Sequence, residues 1–408
     1  MAVPLARKNL THNPWKLVVS VLGIGFAVLL MCMQLGFYNA LRDSPAALLR
    51  HFDCDLVITS RTQYALVVPQ QFNHRRLAQA LACTGVKSVR PLYVGPGAWK
   101  LPEADALRMG AKQGTGAPKP RRRTTRPIRV IACDMSDPPL DFPGVKEHQA
   151  ELQEIGAVLF DSASTDASTG SREMFGQPQI GTETTLGGTP VRVVGHFRLG
   201  KDFATDGNVI TSSRTMARIR APLFPPGADP LSMVDIGLVK LEPGRNLDEA
   251  KAELISRLPD DVLVATHDEF IQREQSFWLK VTPIGKIFTV GVGLGFVVGT
   301  IICYQILHAG ISQSMSEFAT LKAMGYRDSY FYKMVLIQAC YLSAMGFIPG
   351  VAASYGLYGM VHNATGLDLK LTWSLVGMVM GLTLLMCIAS GMLAVRKVFT
   401  ADPAELFK

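Results

Sequence analysis

Four stretches of this sequence lack Asp, Glu, Lys and Arg, and each runs for more than 20 residues. A helix needs about 20 apolar residues to cross a bilayer. Only helices and closed barrels satisfy their own backbone hydrogen bonds in lipid. The runs are Leu17 to Leu41, Ile287 to about Ser316 with an apolar part ending near Leu307, Met334 to about Val361, and Leu371 to Val395. The competing reading, buried core helices of a soluble protein, has to explain all four in one chain. Composition agrees with the membrane. Hydrophobic residues make up 48% and charged residues 18%, with a mean hydropathy of +0.20. An average soluble domain carries about 25% charged residues. Yet 33 acidic and 41 basic residues must face water, so the sequence reads as a membrane protein with one sizeable aqueous domain. The apolar content excludes a disordered chain, and the Gly and Cys content excludes a collagen or a disulfide scaffold.

The first run follows the basic residues Arg7, Lys8 and Lys16. Its apolar stretch is too long for a signal-peptide core of 7–15 residues, so it reads as a retained anchor. Lys and Arg concentrate in the arm 1–16, in the loop with Lys322, Arg327 and Lys333, and in the tail with Arg396, Lys397 and Lys408. Cytoplasmic loops carry this excess. Both termini and the 309–333 loop are therefore expected inside a cell inner membrane, with residues 42–282 and 362–370 on the periplasmic side. The spans are expected at 17–41, 283–308, 334–361 and 371–395, followed by a tail over 396–408. The net charge of +8 needs no nucleic acid, since much of it is this inside bias. Cys54, Cys83 and Cys133 lie in the outside segment. No CxxC occurs, and the sequence leaves their pairing open.

Residues 43–280 read as α+β. Strands are expected at Asp55–Ser60, Val86–Val94, Val234–Leu241 and Val262–Thr266, with helices at Gln70–Cys83 and Asn246–Leu258. Asn246 serves as an N-cap. Two β-α-β units at the ends of one segment form a split ferredoxin-like pattern. The insertion between them, about 100–230, is β-rich, with strands expected at Ile128–Cys133, Ala157–Asp161, Thr189–Phe197 and Asn208–Thr211. Gly187-Gly188 marks a turn. Gly110–Pro120 runs into Lys119-Pro120-Arg121-Arg122-Arg123. The basic run Lys119–Arg129 reads as a solvated hairpin tip, with a headgroup or partner patch as the alternative. A helix is expected from Asp268, taken as its N-cap, continuing as a stalk. Pro283 should kink it near Val281 or Thr282.

Several chemistries lack their motifs. No G-x-x-x-x-G-K-[ST] occurs, so no P-loop holds ATP. No H-E-x-x-H, G-x-S-x-G or zinc-type Cys/His spacing occurs either. His51, Asp53, Cys54 and Asp55 cluster in sequence. A solvated stretch leading into a strand is preferred there over a metal site. His267-Asp268-Glu269 reads as a helix N-terminus, where acids suit the dipole. No catalytic residue, bound cofactor or metal is expected. Gly291, Gly295 and Gly299 put a small-residue stripe on the second span, suited to close helix packing within the chain or against a second copy. Gly346 and Gly350 repeat the spacing beside Pro349, as do Gly377 and Gly381. No charged side chain falls in the middle of a span, which gives an ion-coupled pathway no support.

The loop after the second span reads as a short amphipathic helix. Met315, Phe318, Leu321 and Met324 form a slanted apolar stripe, and Gly325 is placed to end the helix in a left-handed turn. An interfacial helix lying on lipid is the alternative. Glu317-Phe318-Ala319-Thr320-Leu321-Lys322-Ala323-Met324-Gly325 resembles the signature of FtsX/MacB-type ABC transporter permeases. Ala401-Asp402-Pro403-Ala404-Glu405 is similar to that family's C-terminal motif. Thr282-Pro283-Ile284-Gly285, Tyr304-Gln305-Ile306-Leu307, Leu199-Gly200-Lys201-Asp202-Phe203 and Pro4-Leu5-Ala6-Arg7-Lys8-Asn9-Leu10 are similar to the DevC-type permeases, named for a heterocyst glycolipid exporter.

The resemblance implies four transmembrane helices with a MacB-like periplasmic domain, and no enzyme activity in this chain. It implies a homodimer. A separate ABC ATPase subunit would bind ATP-Mg and dock on Met315 and Glu317–Gly325. A periplasmic membrane-fusion adaptor would lead to a TolC-like outer-membrane channel. The implied task is mechanotransmission that exports a lipid, glycolipid or other amphiphile. A non-transporting FtsX-like role, relaying ATPase action to a cell-wall hydrolase or sensor kinase, is the alternative, because a fold does not fix a task. A membrane-anchored enzyme lacks any supporting constellation.

Overall fold

The structure is a computed structural model, and it describes residues 14–102, 125–165, 175–176, 178–313, 324–325 and 328–400. The chain divides into two compact units, one of residues 1–39, 283–360 and 369–408 and the other of residues 40–282 and 361–368.

The first unit holds the apolar helices. These are α1 (Pro14–Asp43) and, after the strands and helices of the other unit, three further long helices: Pro283–Gln313, Asp328–Thr365 and Trp373–Thr400. All four are long and apolar enough to cross a membrane. Their buried faces meet around Ile24, Met31, Cys303, Leu342, Val379 and Met386. Polar side chains on these faces bond to helix carbonyls, which satisfies them without water. Ser354 Oγ donates to the Gly350 carbonyl at 2.7 Å and Thr383 Oγ1 to that of Val379 at 2.7 Å. Ser390 Oγ crosses between helices to the Thr300 carbonyl at 2.8 Å.

The second unit is built on one nine-stranded sheet. Its strands are β1 (Leu56–Ser60), β3 (Val86–Lys100), β4 (Thr125–Cys133), β5 (Ala157–Asp161), β6 (Glu183–Leu186), β7 (Thr189–Phe197), β8 (Asn208–Ser212), β10 (Ile236–Leu241) and β11 (Val262–Thr266). The short strands β2 (Phe72–Asn73) and β9 (Met233–Val234) pair separately. Its helices, in chain order, are α2 (Arg75–Leu81), α3 (Pro143–Glu147), α4 (Gln149–Leu152), α5 (Ser213–Arg220), α6 (Leu247–Arg257) and α7 (His267–Ser276). The helices of the first unit that follow are then α8 (Pro283–Gln313), α9 (Asp328–Thr365) and α10 (Trp373–Thr400).

The strand order is β11-β1-β10-β3-β4-β8-β5-β7-β6. Each of the first four strands is antiparallel to its neighbours. They belong to the units β1-α2-β3 and β10-α6-β11, which is the split ferredoxin-like arrangement. Strands β1, β5 and β8 are buried at every position because both of their faces are covered. Leu56 and Ile58 of β1 face a core shared with Leu77 of α2 and Leu254 of α6. Val57 between them faces a second core with Leu49, Phe142 and Phe270. The alternation is the two-residue period of a strand.

The insertion is not a separate layer. Strand β3 runs on past the expected Val94 to Lys100, and β4 pairs along its second half from Leu92↔Cys133 to Lys100↔Thr125. The sheet continues through β8, β5, β7 and β6, and the Trp99↔Leu186 pairing returns β6 to β3. Six strands thus close on themselves around Trp99, Phe160 and Phe175. Gly187 and Gly188 have φ +60° and +85° and make the tight β6–β7 turn, where both positions need positive φ. The basic stretch through Thr124 lies outside the described residues. The helix expected over Gln70–Cys83 is shorter, because Phe72 and Asn73 are taken by the pairing with β9.

Candidate functional site

The connection from the α/β unit to the second apolar helix is the most informative local structure. Thr266, not Asp268, caps α7. Its Oγ1 accepts from the Glu269 N–H at 3.2 Å, and Glu269 accepts in return from the Thr266 N–H at 2.8 Å. This capping box satisfies two of the free N–H groups of the first turn. The helix passes into one π-turn over Phe277–Val281, with the Thr282 N–H bonded to the Phe277 carbonyl at 3.2 Å. Thr282 is extended, at φ −73° and ψ 145°, and Pro283 is the first residue of α8. The expected kink is thus a break. A residue before proline avoids the helical region, and proline loses nothing at a first helical position, where the N–H is unpaired anyway.

Glu274 sits at the centre of this stalk, 2% exposed. Its carboxylate accepts from the Leu66 N–H at 2.9 Å and from the Trp278 indole at 3.0 Å. Burial pushes its carboxyl above the ordinary glutamate value, against the pull of these two donors and of the Arg129 charge. Arg129 itself pairs with Asp202 at 2.7 Å, both nearly buried. Asp202 also accepts from the Ala204 and Thr205 N–H groups at 2.8 Å each. Asp161, fully buried, takes the N–H groups of Leu199 and Gly200 at 3.0 Å each and the amide of Asn208 at 2.9 Å. The turn Leu199–Phe203 is therefore held by two acids. Beside it, a Cβ built on Gly366 would meet Lys201 Cδ at 2.8 Å. Burial lowers the Lys201 pKa.

A second polar clamp lies across the sheet. Asp235, buried, binds the Arg220 guanidinium, the Gln71 amide at 3.0 Å and the Val94 N–H at 2.9 Å. The acids near the first strand are also committed. Asp53 is held below the usual carboxylate range: some burial opposes this, but hydrogen bonds from Lys240 and Arg90 prevail. Asp55 accepts from the Leu241 N–H at 2.9 Å. His51 Nδ1 is 2.9 Å from the Asp141 carbonyl. Burial raises the Cys54 and Cys133 thiols to about 12 each. Cys54, Cys83 and Cys133 are all free and buried. An open cleft of about 760 Å³ lies between Lys100–Pro102, Glu154–Ala157 and the β6–β7 hairpin, with Glu154 and Arg192 paired at its rim at 3.0 Å.

The glycine stripe packs inside the chain. Gly291 lies against Gln34, Gly295 against Leu30 and Met31, and Gly299 against Ala27 and Met386. Gly346 and Gly350 receive α1 at Ile24, Gly25 and Val28. Gly377 and Gly381 have no described neighbour within 4 Å of an added Cβ. Of the segment expected to dock an ATPase, Met315, Glu317, Phe318, Ala319, Thr320, Leu321, Lys322 and Ala323 lie outside the described residues. Met324 is exposed, and Gly325 has φ +91°, the left-handed conformation that suits glycine at a helix end.

The sequence pattern missed Glu274, Trp278, Asp161 and the Arg220–Asp235 pair, because their partners are remote in sequence. The capping box did leave a local signal, Thr266-x-x-Glu269.

No curated protein matches the chain. Among solved structures, the periplasmic region of MacB from Actinobacillus actinomycetemcomitans aligns with a TM-score of 0.34 and 12% identity, over 55% of this chain and 94% of that one. The extracellular domain of the noncanonic ABC-type transporter YknZ from Gram-positive bacteria aligns with a TM-score of 0.32 and 13% identity, over 52% of this chain and 98% of that one. Residues 289–403, which contain most of α8, the loop after it, α9 and α10, match the family described as FtsX-like permease C-terminal.

Proposed function

We propose that the chain is the permease subunit of an ABC transporter of the FtsX/MacB type, working as a homodimer with a separate ATPase subunit that binds ATP-Mg. The observation that carries this is the FtsX-like match over residues 289–403, which includes the coupling segment. The ATPase docks on Met315 and Glu317–Gly325 from the cytoplasm, where both termini also lie. Movement of the dimer passes along α7 and α8 to the α/β unit, which stands in the periplasm. There it works with a membrane-fusion adaptor and, through it, a TolC-like channel, to export a lipid, glycolipid or other amphiphile, as in the DevC type. Two features support a mechanical role for the α/β unit. It is tied to apolar helices on both sides of its sequence, and its stalk is held by buried polar contacts rather than by an exposed helix alone.

The test is a pull-down of the tagged full chain from native membranes in mild detergent, with partners identified by mass spectrometry, beside the Leu321→Asp variant. The expected result is a P-loop ATPase and a membrane-fusion adaptor with the parent chain, and loss of the ATPase alone with the variant. Recovery of the ATPase with a hydrolase or kinase and no adaptor would replace export by a signalling role. Equal ATPase recovery from both chains would remove the docking assignment.

A further inference from the structure

We propose that the outward face of α8 docks a second copy of this chain, with the two α8 helices side by side and Gln305 of each hydrogen-bonded to Gln305 of the other. The proposal rests on the homodimer reading and adds the surface that the copies share. Spacing defines the face. Ile287, Val290, Leu294, Val297 and Ile301 recur three and four residues apart, which keeps them on one side of a helix. Each is between 51% and 65% exposed. Gly295, Gly299 and Cys303 lie on the opposite side and are buried inside the chain. Of the 18 most apolar residues of α8 only 17% are buried, against 39% in α1, 50% in α9 and 44% in α10. The four helices therefore cover α8 less than they cover one another.

An apolar face in a membrane does not name its occupant, because lipid tails cover it as well as protein does. Gln305 does. It follows Ile301 by four residues, continues the same face and is exposed. Among the described residues its amide has no hydrogen-bond partner. At about 1.5 Å per residue it stands roughly 11 Å from the middle of the Pro283–Ser312 span, inside a hydrocarbon layer about 30 Å thick. Lipid tails offer an amide no hydrogen bond, and an unmet polar group costs free energy there. A polar side chain on a neighbouring helix meets that need.

Symmetry supplies the partner. Two copies of one membrane protein sit in the bilayer with the same orientation, so the two-fold axis relating them runs along the membrane normal. Two α8 helices that meet on that axis are parallel, and each residue of the seam faces its own counterpart. A carboxamide both donates and accepts, so two facing glutamines are complementary, whereas two facing acids or two facing cations would repel. The alternating three- and four-residue spacing from Ile287 to Ile301 is the seam pattern of a left-handed helix pair. One amide among aliphatic seam residues also fixes the register of such a pair.

The test is disulfide cross-linking of the full chain in native membranes, oxidised with copper phenanthroline. Cys340, the exposed cysteine, is first replaced by serine, since the other six are buried. Single cysteines are then introduced as Leu294→Cys or Ile301→Cys on α8, and as Ile348→Cys on α9 or Leu385→Cys on α10, positions that are 70% and 56% exposed. Native mass spectrometry of the parent chain in mild detergent counts the copies. The expected result is two copies, a covalent dimer several-fold more abundant from 294 and 301 than from 348 and 385, and a several-fold loss of the dimer at 301 when Gln305→Leu is added. Two copies with no dimer from 294 or 301 would leave the α8 face to lipid and overturn the proposal alone. A single copy, with no dimer from any position, would overturn the homodimer reading together with it. Dimer formation at 301 that Gln305→Leu leaves unchanged would overturn the amide pair.

Discussion

At the scale of single residues, the glycines of the apolar helices differ in what they permit. A Cβ on Gly350 would lie 2.7 Å from the backbone carbonyl oxygen of Gly25 and 2.7 Å from Val28 Cβ. Neither can swing away, so the two helices would have to part. A Cβ on Gly295 would meet Met31 Cγ at 3.4 Å, the end of ordinary contact and a flexible side chain. Overpacking a tight contact costs about 1–3 kcal/mol, whereas Gly→Ala in an unobstructed helix gains roughly 0.5–1 kcal/mol. Gly350→Ala is therefore expected to lower the thermal midpoint of the purified chain in detergent, and Gly295→Ala to leave it unchanged or raise it. Equal midpoints for the two variants would show that the small-residue stripe does not set the packing of α1 against α9.

At the scale of elements, the stalk helix α7 is held at its start by a titratable cap. Glu269 is held below the ordinary glutamate value of 4.5, first by the Lys251 ammonium and then by the Thr266 N–H. Its folded pKa lies below its unfolded pKa, so its contribution is complete above 4.5 and fades as pH falls through the folded value. Hydrogen-exchange protection of the first-turn amides of α7 should drop in that acidic window, and the drop should be absent in Glu269→Gln. The same pH dependence in both chains would overturn the assignment. The start of this helix was legible in the sequence, since Thr266-x-x-Glu269 is a capping pattern. Thr266 also ends β11, so the strand and the cap share one residue. The strands themselves are legible as short apolar runs, such as β1, β5 and β10. Their joining into one sheet is not, because nothing local in Val86–Lys100 tells that its second half pairs with β4 and returns to β6. Glu274 was hidden for a similar reason: it looks like one more acid on a helix, and its partner Leu66 is 208 positions away.

At the scale of the whole molecule, the α/β unit has what it needs to fold without the apolar helices. Its two cores are formed by residues between Leu48 and Phe270, with none from α1, α8, α9 or α10. Its ends are also tied within the unit. His267 Nε2 bonds the Leu49 carbonyl at 2.7 Å near the start, and Glu274 bonds Leu66 near the end. The losses on excision are residues 40–43, with the buried Leu41, Thr282, and the 361–368 segment, of which Gly366 packs on Lys201. Lys201 is buried, and burial disfavours its charge, so uncovering it relieves a cost as well as removing a contact. A fragment of residues 44–281 is therefore expected to be monodisperse in water and to unfold cooperatively, with circular dichroism of a mixed α/β protein. Aggregation of that fragment, rescued only by restoring the apolar helices, would show that the unit depends on them. If the fragment folds, the stalk is a lever attached to a rigid body, which is the physical condition for passing movement from a membrane helix into a separate domain.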